Sequence, residues 1–291
     1  LSAVTLHIMT RVHTATEVER MMADARQAIT QDLIERAQCV PGIAQIVLST
    51  NAPLLAEWAR AQGVQVELDA AEGAFHFGQY LRRLADKYHV ERLFYMGGGS
   101  GALLSADEMA GIVQRLSSAE RILITNNFYS TDWAAFAPAS ALNTIEPLAM
   151  DNDLGWSLGE KAGLPNEALP RKASTQFDVD TPTDLMTLAP HSGVGVHTRA
   201  FLNHLALDTS HIERAMRFLV DRDAEVLVAG RVSAAVWEYL ERETACRVRV
   251  FAEERGMRAS GRLARGEARS LLGYFYQQVG PQRFFETLAG L

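Results

Sequence analysis

Asp178 and Asp180 are the two side chains of this chain whose type and spacing point most directly to chemistry. They stand in the tract Gln176–Leu188, QFDVDTPTDLMTL. In an extended segment, residues two apart point the same way, so both carboxylates can converge on one spot at the tip of a strand. Oxygen ligands at such a tip suit Mg²⁺, a hard cation that usually shares its coordination sphere with substrate phosphates. The rest of the tract reads as a helix start, with Thr181 at the N-cap, Pro182 at the first helical position and Asp184 three residues on. The cap is then satisfied without Asp180. A plainer reading of the same residues is a solvated acidic turn before a helix.

A second candidate is the loop Gly97-Gly98-Gly99-Ser100-Gly101, which directly follows an apolar run. Glycines permit close backbone approach, and successive N–H groups can curl into a nest for phosphate. The loop matches neither the P-loop nor the dinucleotide-binding glycine pattern, and a flexible turn explains it as readily. The helix after it carries its own start signal in Ser105 and Glu108.

The tract D-V-D-T-P-T-D-L resembles the D-x-D-T-P-E-D-L tract of the 2-phospho-lactate guanylyltransferases and the molybdenum-cofactor nucleotidyltransferases. The resemblance spans roughly residues 4 to 190. It implies a GT-A-like α/β domain, an NTP substrate with a small-molecule acceptor, Mg²⁺ as cofactor and release of pyrophosphate, with Asp180 as the metal ligand and Asp178 beside it. Two departures accompany it. Where the family has a Gly-Asp pair followed by a Pro-Leu-Leu-like run, with that Asp on the metal, this chain has Gly99-Ser100-Gly101-Ala102-Leu103-Leu104. Ser100 thus stands in place of a carboxylate. Either the site is rebuilt from Asp178, Asp180 and one of Asp151 or Asp153, or the chain keeps the fold without the activity. At the amino terminus, Thr10 and Arg11 match part of a Lys-[Ser/Thr]-Arg tract, with Met9 in place of the Lys. Arg11 could clamp a phosphate through two parallel N–H bonds. A sugar transferase using a nucleotide-sugar and a degenerate binding or scaffold protein are the alternatives.

The elements that must position these residues alternate between strand and helix, the pattern of a mostly parallel sheet flanked by helices. Strands are expected at 4–9, 44–49, 64–68, 92–96 and 121–125, with helices at 15–38, 53–62, 77–88 and 106–116. Residues 126 to 171 form a long irregular stretch, of the kind that often carries binding function, with a helix or two hidden in it. The turn signals Ala189-Pro190-His191-Ser192-Gly193 suggest a domain boundary, giving a nucleotidyltransferase-like domain over 1–190 and a small α/β domain over 191–291. The latter reads as helices at 198–205 and 212–221, a strand–helix–strand unit from Glu225 to Phe251, then one or two helices with an aromatic docking face of Tyr274, Phe275, Tyr276, Phe284 and Phe285.

Composition narrows the function classes. The chain has 291 residues, of which 48% are hydrophobic, and a net charge of −7. That length favours two domains over one. No apolar run approaches the ~18 residues of a membrane span, and a cytoplasmic protein without membrane contact is expected. After position 190 there are 14 arginines, no lysine and 12 acidic residues, against 14 basic and 23 acidic before it. The Arg-dense stretch from Arg247 to Arg269 is interleaved with glutamates and has no nucleic-acid-binding signature, so no nucleic-acid partner is expected. A homo-oligomer is left open. Cys39 and Cys246 form no C-x-x-C pair and read as small buried thiols rather than zinc ligands. His191, His197, His204 and His211 lack metal-ligand spacing, and Ser233 after Gly230-Arg231-Val232 reads as an N-cap as readily as an anion site.

Overall fold

The computed structural model describes residues 3–69, 75–230, 232–253 and 262–291. Arg231 and the part of the Arg-dense stretch between 254 and 261 lie outside the described residues. Seven strands, β1 (Val4–Thr10), β2 (Ile43–Thr50), β3 (Gln65–Leu68), β4 (Leu93–Gly97), β5 (Ile122–Thr125), β6 (Trp133–Ala137) and β7 (Asn166–Ala168), form one sheet in the order β3-β2-β1-β4-β6-β5-β7. All neighbours run parallel except β6, which is antiparallel to both β4 and β5. β1 lies at the middle of the parallel half and is buried along its whole length, as a strand covered on both faces must be. Helices α1 (Glu17–Gln38), α2 (Pro53–Ala61), α3 (Phe77–Lys87) and α4 (Ala106–Ser118) make the crossovers that the alternating pattern predicts.

The stretch from 126 to 171 holds more than the helix or two expected. It contributes β6 and β7, short 3₁₀ turns at Ala139–Thr144 and Asp151–Asp153, and a helical run through α5 (Leu154–Trp156) to Lys161. β6 is the residue run Trp-Ala-Ala-Phe-Ala, five apolar residues buried on both faces, and a run that short shows no period by which to recognise it.

The segment at Gln176–Asp180 is not the regular strand expected. Helix α6 (Ala173–Gln176) and helix α7 (Pro182–Leu188) leave only a few residues between them. What remains of the strand is a single antiparallel bridge, Ser100 with Asp178, with the Val179 N–H donating to the Gly99 carbonyl at 3.1 Å. Alternation survives in that short span: Val179 is buried in the core, while Asp178 and Asp180 face away from it. The Asp184 carboxylate accepts from the Thr181 N–H at 2.7 Å, as the tract predicts.

The chain divides into two compact units after Leu207, not at Pro190. Pro190 and Gly193 punctuate a turn between helices, but α8 (Val196–Leu205) still belongs to the first unit. It buries Thr198 and Leu202 there, and the buried Asp32 carboxylate of α1 accepts from the N–H groups of His197 and Thr198 at 2.9 Å each. That carboxylate caps a helix start, where an anion is favoured. Gly195 is required beside it, since a Cβ would meet the Asp32 carboxyl carbon at 2.2 Å.

In the second unit, β8 (Glu225–Gly230) and β9 (Arg247–Ala252) pair in parallel across α10 (Ala234–Glu243), following α9 (Ser210–Leu219). Ser233 caps α10 through the Val236 N–H. The terminal helix α11 (Leu271–Gly290) is broken at Gly280, whose φ of 77° precedes Pro281, and the rings of Phe275, Tyr276 and Phe285 gather around the buried Phe284. The cysteines depart from expectation: Cys39 is exposed at the end of α1 and Cys246 is half-buried. Among the described residues no helix is long and apolar enough to cross a membrane.

Candidate active site

A cavity of about 430 Å³ opens where β1 and β4 end. Ligands in open α/β sheets commonly gather outside the carboxyl ends of the strands, and this cavity lies at that edge. β1 delivers Met9 and Thr10, followed by Arg11; β4 delivers Tyr95 and Gly97, followed by Gly98 and Gly99. Because β6 runs the other way, its amino end lies at the same edge, with Trp133 opposite Met96, and the residue before it, Asp132, enters the cavity. Asp151, Asp178, Asp180 and Arg26 of α1 complete the polar wall. The sequence-predicted residues Thr10, Arg11, Gly97, Gly98, Gly99, Asp178 and Asp180 are therefore brought together.

Ser100 and Gly101 are not part of that wall. Ser100 is 2% exposed and its hydroxyl donates to the Gly97 carbonyl at 2.8 Å. Gly101 takes a positive φ of 71° while its carbonyl accepts from Arg36. The glycines before them are needed mainly for clearance. A Cβ on Gly98 would lie 2.2 Å from the Thr10 hydroxyl oxygen, and one on Gly99 would lie 2.8 Å from the Val179 carbonyl and 3.0 Å from an Asp178 oxygen. A side chain on Gly97 would point toward the Asp132 carbonyl at 3.2 Å and the Asp151 carboxylate at 3.7 Å.

Four carboxylates share this space. Burial pushes the pKa of Asp178 up to about 8, and the charges of Asp132 and Asp180 push the same way against the opposing pull of Arg26. Burial also raises Asp132, to about 6; a 2.5 Å hydrogen bond from Asn126 works against it, and the charges of Asp151 and Asp180 add to it. Asp151 is raised by burial too, while the Tyr95 hydroxyl, donating at 2.8 Å, holds it back. Asp180 is different, with a side chain 70% exposed and 3.3 Å from Arg26. Positive charge is scarce. Arg11 already pairs with Asp69 at 2.9 Å and lies 4.5 Å over the Phe75 ring, with Asp69 in turn accepting from the Tyr80 hydroxyl at 2.6 Å. A concentration of carboxylates that disfavours its own ionisation is a fitting place for a cation.

Sequence spacing missed Asp132, Tyr95 and Asn126, which no short motif links to Asp178. It also missed a second group, Asp32, Glu35 and His197, whose ligand atoms lie within 4.8 Å of one another and could coordinate a divalent cation. None of the three lines the cavity. Both Asp32 oxygens already serve the start of α8, and the His197 ring lies 2.8 Å from Glu35, so this group has a sufficient role in holding α8 to α1.

No family model and no curated protein matches the chain. Solved structures do. A chain from Desulfovibrio desulfuricans G20 assigned as a nucleotide-diphospho-sugar transferase superposes with a TM-score of 0.51 at 13% identity, over 70% of this chain and 95% of its own. A cytidylyltransferase from Leptospira borgpetersenii serovar Hardjo-bovis gives a TM-score of 0.51 at 16% identity, over 75% of this chain and 96% of its own. The chain shares the α/β fold of these two structures. At such identities the likeness is one of fold alone.

Proposed function

We propose that this GT-A-like chain transfers a nucleotidyl group from an NTP to a small phosphorylated or carboxylated acceptor with the help of Mg²⁺, in the manner of the 2-phospho-lactate guanylyltransferases and molybdenum-cofactor nucleotidyltransferases. The observation that carries the reading is the cavity in which Asp178 and Asp180 face Gly97–Gly99 and Arg11 at the strand ends. An acceptor oxygen attacks the α-phosphorus, the bond to the β-phosphate oxygen breaks, and pyrophosphate leaves. Asp178 and Asp180 would hold the cation, which supplies charge neutralisation at the reacting phosphates. The donor set fits that role: carboxylates without a ready cage suit Mg²⁺, which prefers one or two of them together with phosphate oxygens and water. Arg11 and Arg26 stand at the cavity wall to meet phosphate, and the backbone of Gly97–Gly99 leaves room for it. The Thr10 hydroxyl, on the same wall, is buried without a hydrogen-bond partner among the described residues.

A nucleotide-sugar donor is the second reading, favoured by the likeness to the Desulfovibrio chain. Thermal shift with a panel of NTPs and nucleotide-sugars, each with and without Mg²⁺, tests both. Stabilisation by an NTP that requires Mg²⁺ is expected, of about 2.7 kcal/mol at a ligand concentration 100 times Kd. Selective response to nucleotide-sugars supports the second reading, and no response to either class removes both.

A further inference from the structure

The glycine turn after β4 has a carboxylate on each side of it. On one side is Asp132, whose carbonyl accepts from the Gly97 N–H at 3.0 Å; on the other is Asp178, bridged to Ser100 and 3.0 Å from where a Gly99 side chain would begin. Ser100, at the end of that turn, turns its hydroxyl away into the loop's own backbone and supplies no ligand to the cavity. Asp132 is held as a metal-binding carboxylate is commonly held. The Asn126 amide donates to one of its oxygens at 2.5 Å, and the Asn126 carbonyl oxygen accepts from the Asp132 and Trp133 N–H groups at 3.0 and 3.3 Å. Such outer contacts fix the direction of a ligand and leave the other oxygen available. Among the described residues Asp178 forms no hydrogen bond or ion pair with another side chain, although burial and its neighbours' charges weigh on it. A further observation, independent of the carboxylates, is Thr10 on the same wall. It is 1% exposed, and among the described residues its hydroxyl oxygen has no partner.

We propose that Asp132, carried in by the reversed strand β6, is a ligand of the divalent cation in this cavity, together with Asp178 and Asp180. The assignment rests on the metal-dependent reading above and goes beyond it by naming a ligand on a different strand, outside the D-V-D tract. Among the described residues no three of the cavity's carboxylates bring oxygens within 4.8 Å of one another, so holding the cation would require Asp132 and Asp178 to draw together across the turn. A Mg²⁺ ion held by these carboxylates would keep water and phosphate oxygens in its remaining positions.

Mn²⁺ titrated alone into the full chain, read by its electron paramagnetic resonance signal and by calorimetry, tests the assignment without any nucleotide. The unaltered protein is expected to bind it, with Asp132→Asn and Asp178→Asn each weakening binding by about tenfold or more. Ser100→Ala is expected to leave it unchanged. Unchanged Mn²⁺ affinity in Asp132→Asn, or a loss in Ser100→Ala as large as that in Asp132→Asn, overturns the assignment. Should Asp132→Asn fail to fold, Asp132→Glu takes its place, because it keeps the charge but moves it by one methylene. A threefold or greater change in affinity then supports the assignment, and no change overturns it. Loss of Mn²⁺ binding in these variants stands even if no NTP stabilises the chain. Conversely, NTP stabilisation that ignores Asp132 preserves the proposed reaction and removes this ligand.

Discussion

At Ser100 a carboxylate would have to sit where a hydroxyl now donates to the Gly97 carbonyl, with the Asp132 carbonyl 3.5 Å away. Ser100→Asp would therefore bury a charge against carbonyl oxygens and outside the cavity. We expect a loss of about 2–4 kcal/mol of stability and no gain in cation affinity. Urea unfolding and a Mn²⁺ titration measure the two, and tighter Mn²⁺ binding in a stable variant would contradict the geometry. Asp178 gives a second test. Its folded pKa of about 8 lies above the ordinary carboxylate value, so the folded state holds its proton longer than the unfolded chain does. The stability this brings is complete below the unfolded pKa and is lost as pH rises toward 8. The buried His7, lowered to about 4, acts oppositely, but only below about pH 6.5, where the unfolded chain gains a proton that the folded one refuses. With a chelator present, Tm should fall between pH 6.5 and 8, and Asp178→Asn should flatten that fall while raising Tm at pH 8. A flat or rising profile in the parent protein would remove the burial-raised Asp178 from the account. Asp178 and Asp180 were legible from their spacing because alternation around Val179 acts over three residues. Asp132 and Asn126 were not, because their place depends on how β6 inserts between β4 and β5.

Among the elements, the alternating crossovers from β1 to β5 were readable because each helix is long enough to show an apolar face and each strand is a short, largely apolar run between helices. Ser105 with Glu108 and Thr16 with Glu19 form reciprocal caps that fix two of those helices at their starts. The reversed strand was hidden for the opposite reason, being short and apolar throughout. Its reversal decides the site, since a parallel strand there would present its carboxyl end and not Asp132 to this edge. The turn after β4 has an equally local requirement, which glycine content alone does not reveal. Gly98→Ala would drive a methyl into Thr10 at 2.2 Å, against the end of β1, and is expected to cost about 1–3 kcal/mol. A methyl added at Gly111 in α4 would meet open space instead, with no neighbour among the described residues within 4 Å. Gly111→Ala should therefore stabilise by about 0.5–1 kcal/mol through helix propensity. Denaturant midpoints of the two variants compare the same substitution in the two settings. Equal effects would mean that close approach at Gly98 is not what requires glycine.

For the whole molecule, turn residues and a change of composition proved to be different signals. Pro190 and Gly193 mark a turn, and the Arg-rich, Lys-free composition begins near there, yet the fold divides only after Leu207. What sequence could not convey is the tie between Asp32 and the N–H groups of His197 and Thr198, residues far apart along the chain. That tie makes two truncations unequal. A fragment of residues 1–207 retains the whole seven-stranded sheet, every residue lining the cavity, and α8 on α1. A fragment of residues 1–190 retains the sheet and cavity but strips α8 from α1, exposing the apolar surface under Leu202 and leaving the Asp32 carboxylate without the two N–H groups that satisfy it. Truncating a side chain such as Leu202 to alanine alone costs about 2–5 kcal/mol. Losing the partners of a buried carboxylate adds to that unless water reaches it. We therefore expect the 1–207 fragment to unfold cooperatively in urea and to bind Mn²⁺ as the full chain does. The 1–190 fragment should be less stable by at least about 3 kcal/mol, or fail to fold, although it contains the entire D-V-D-T-P tract. Equal stability of the two fragments would return the boundary to Pro190 and reduce α8 to a connector.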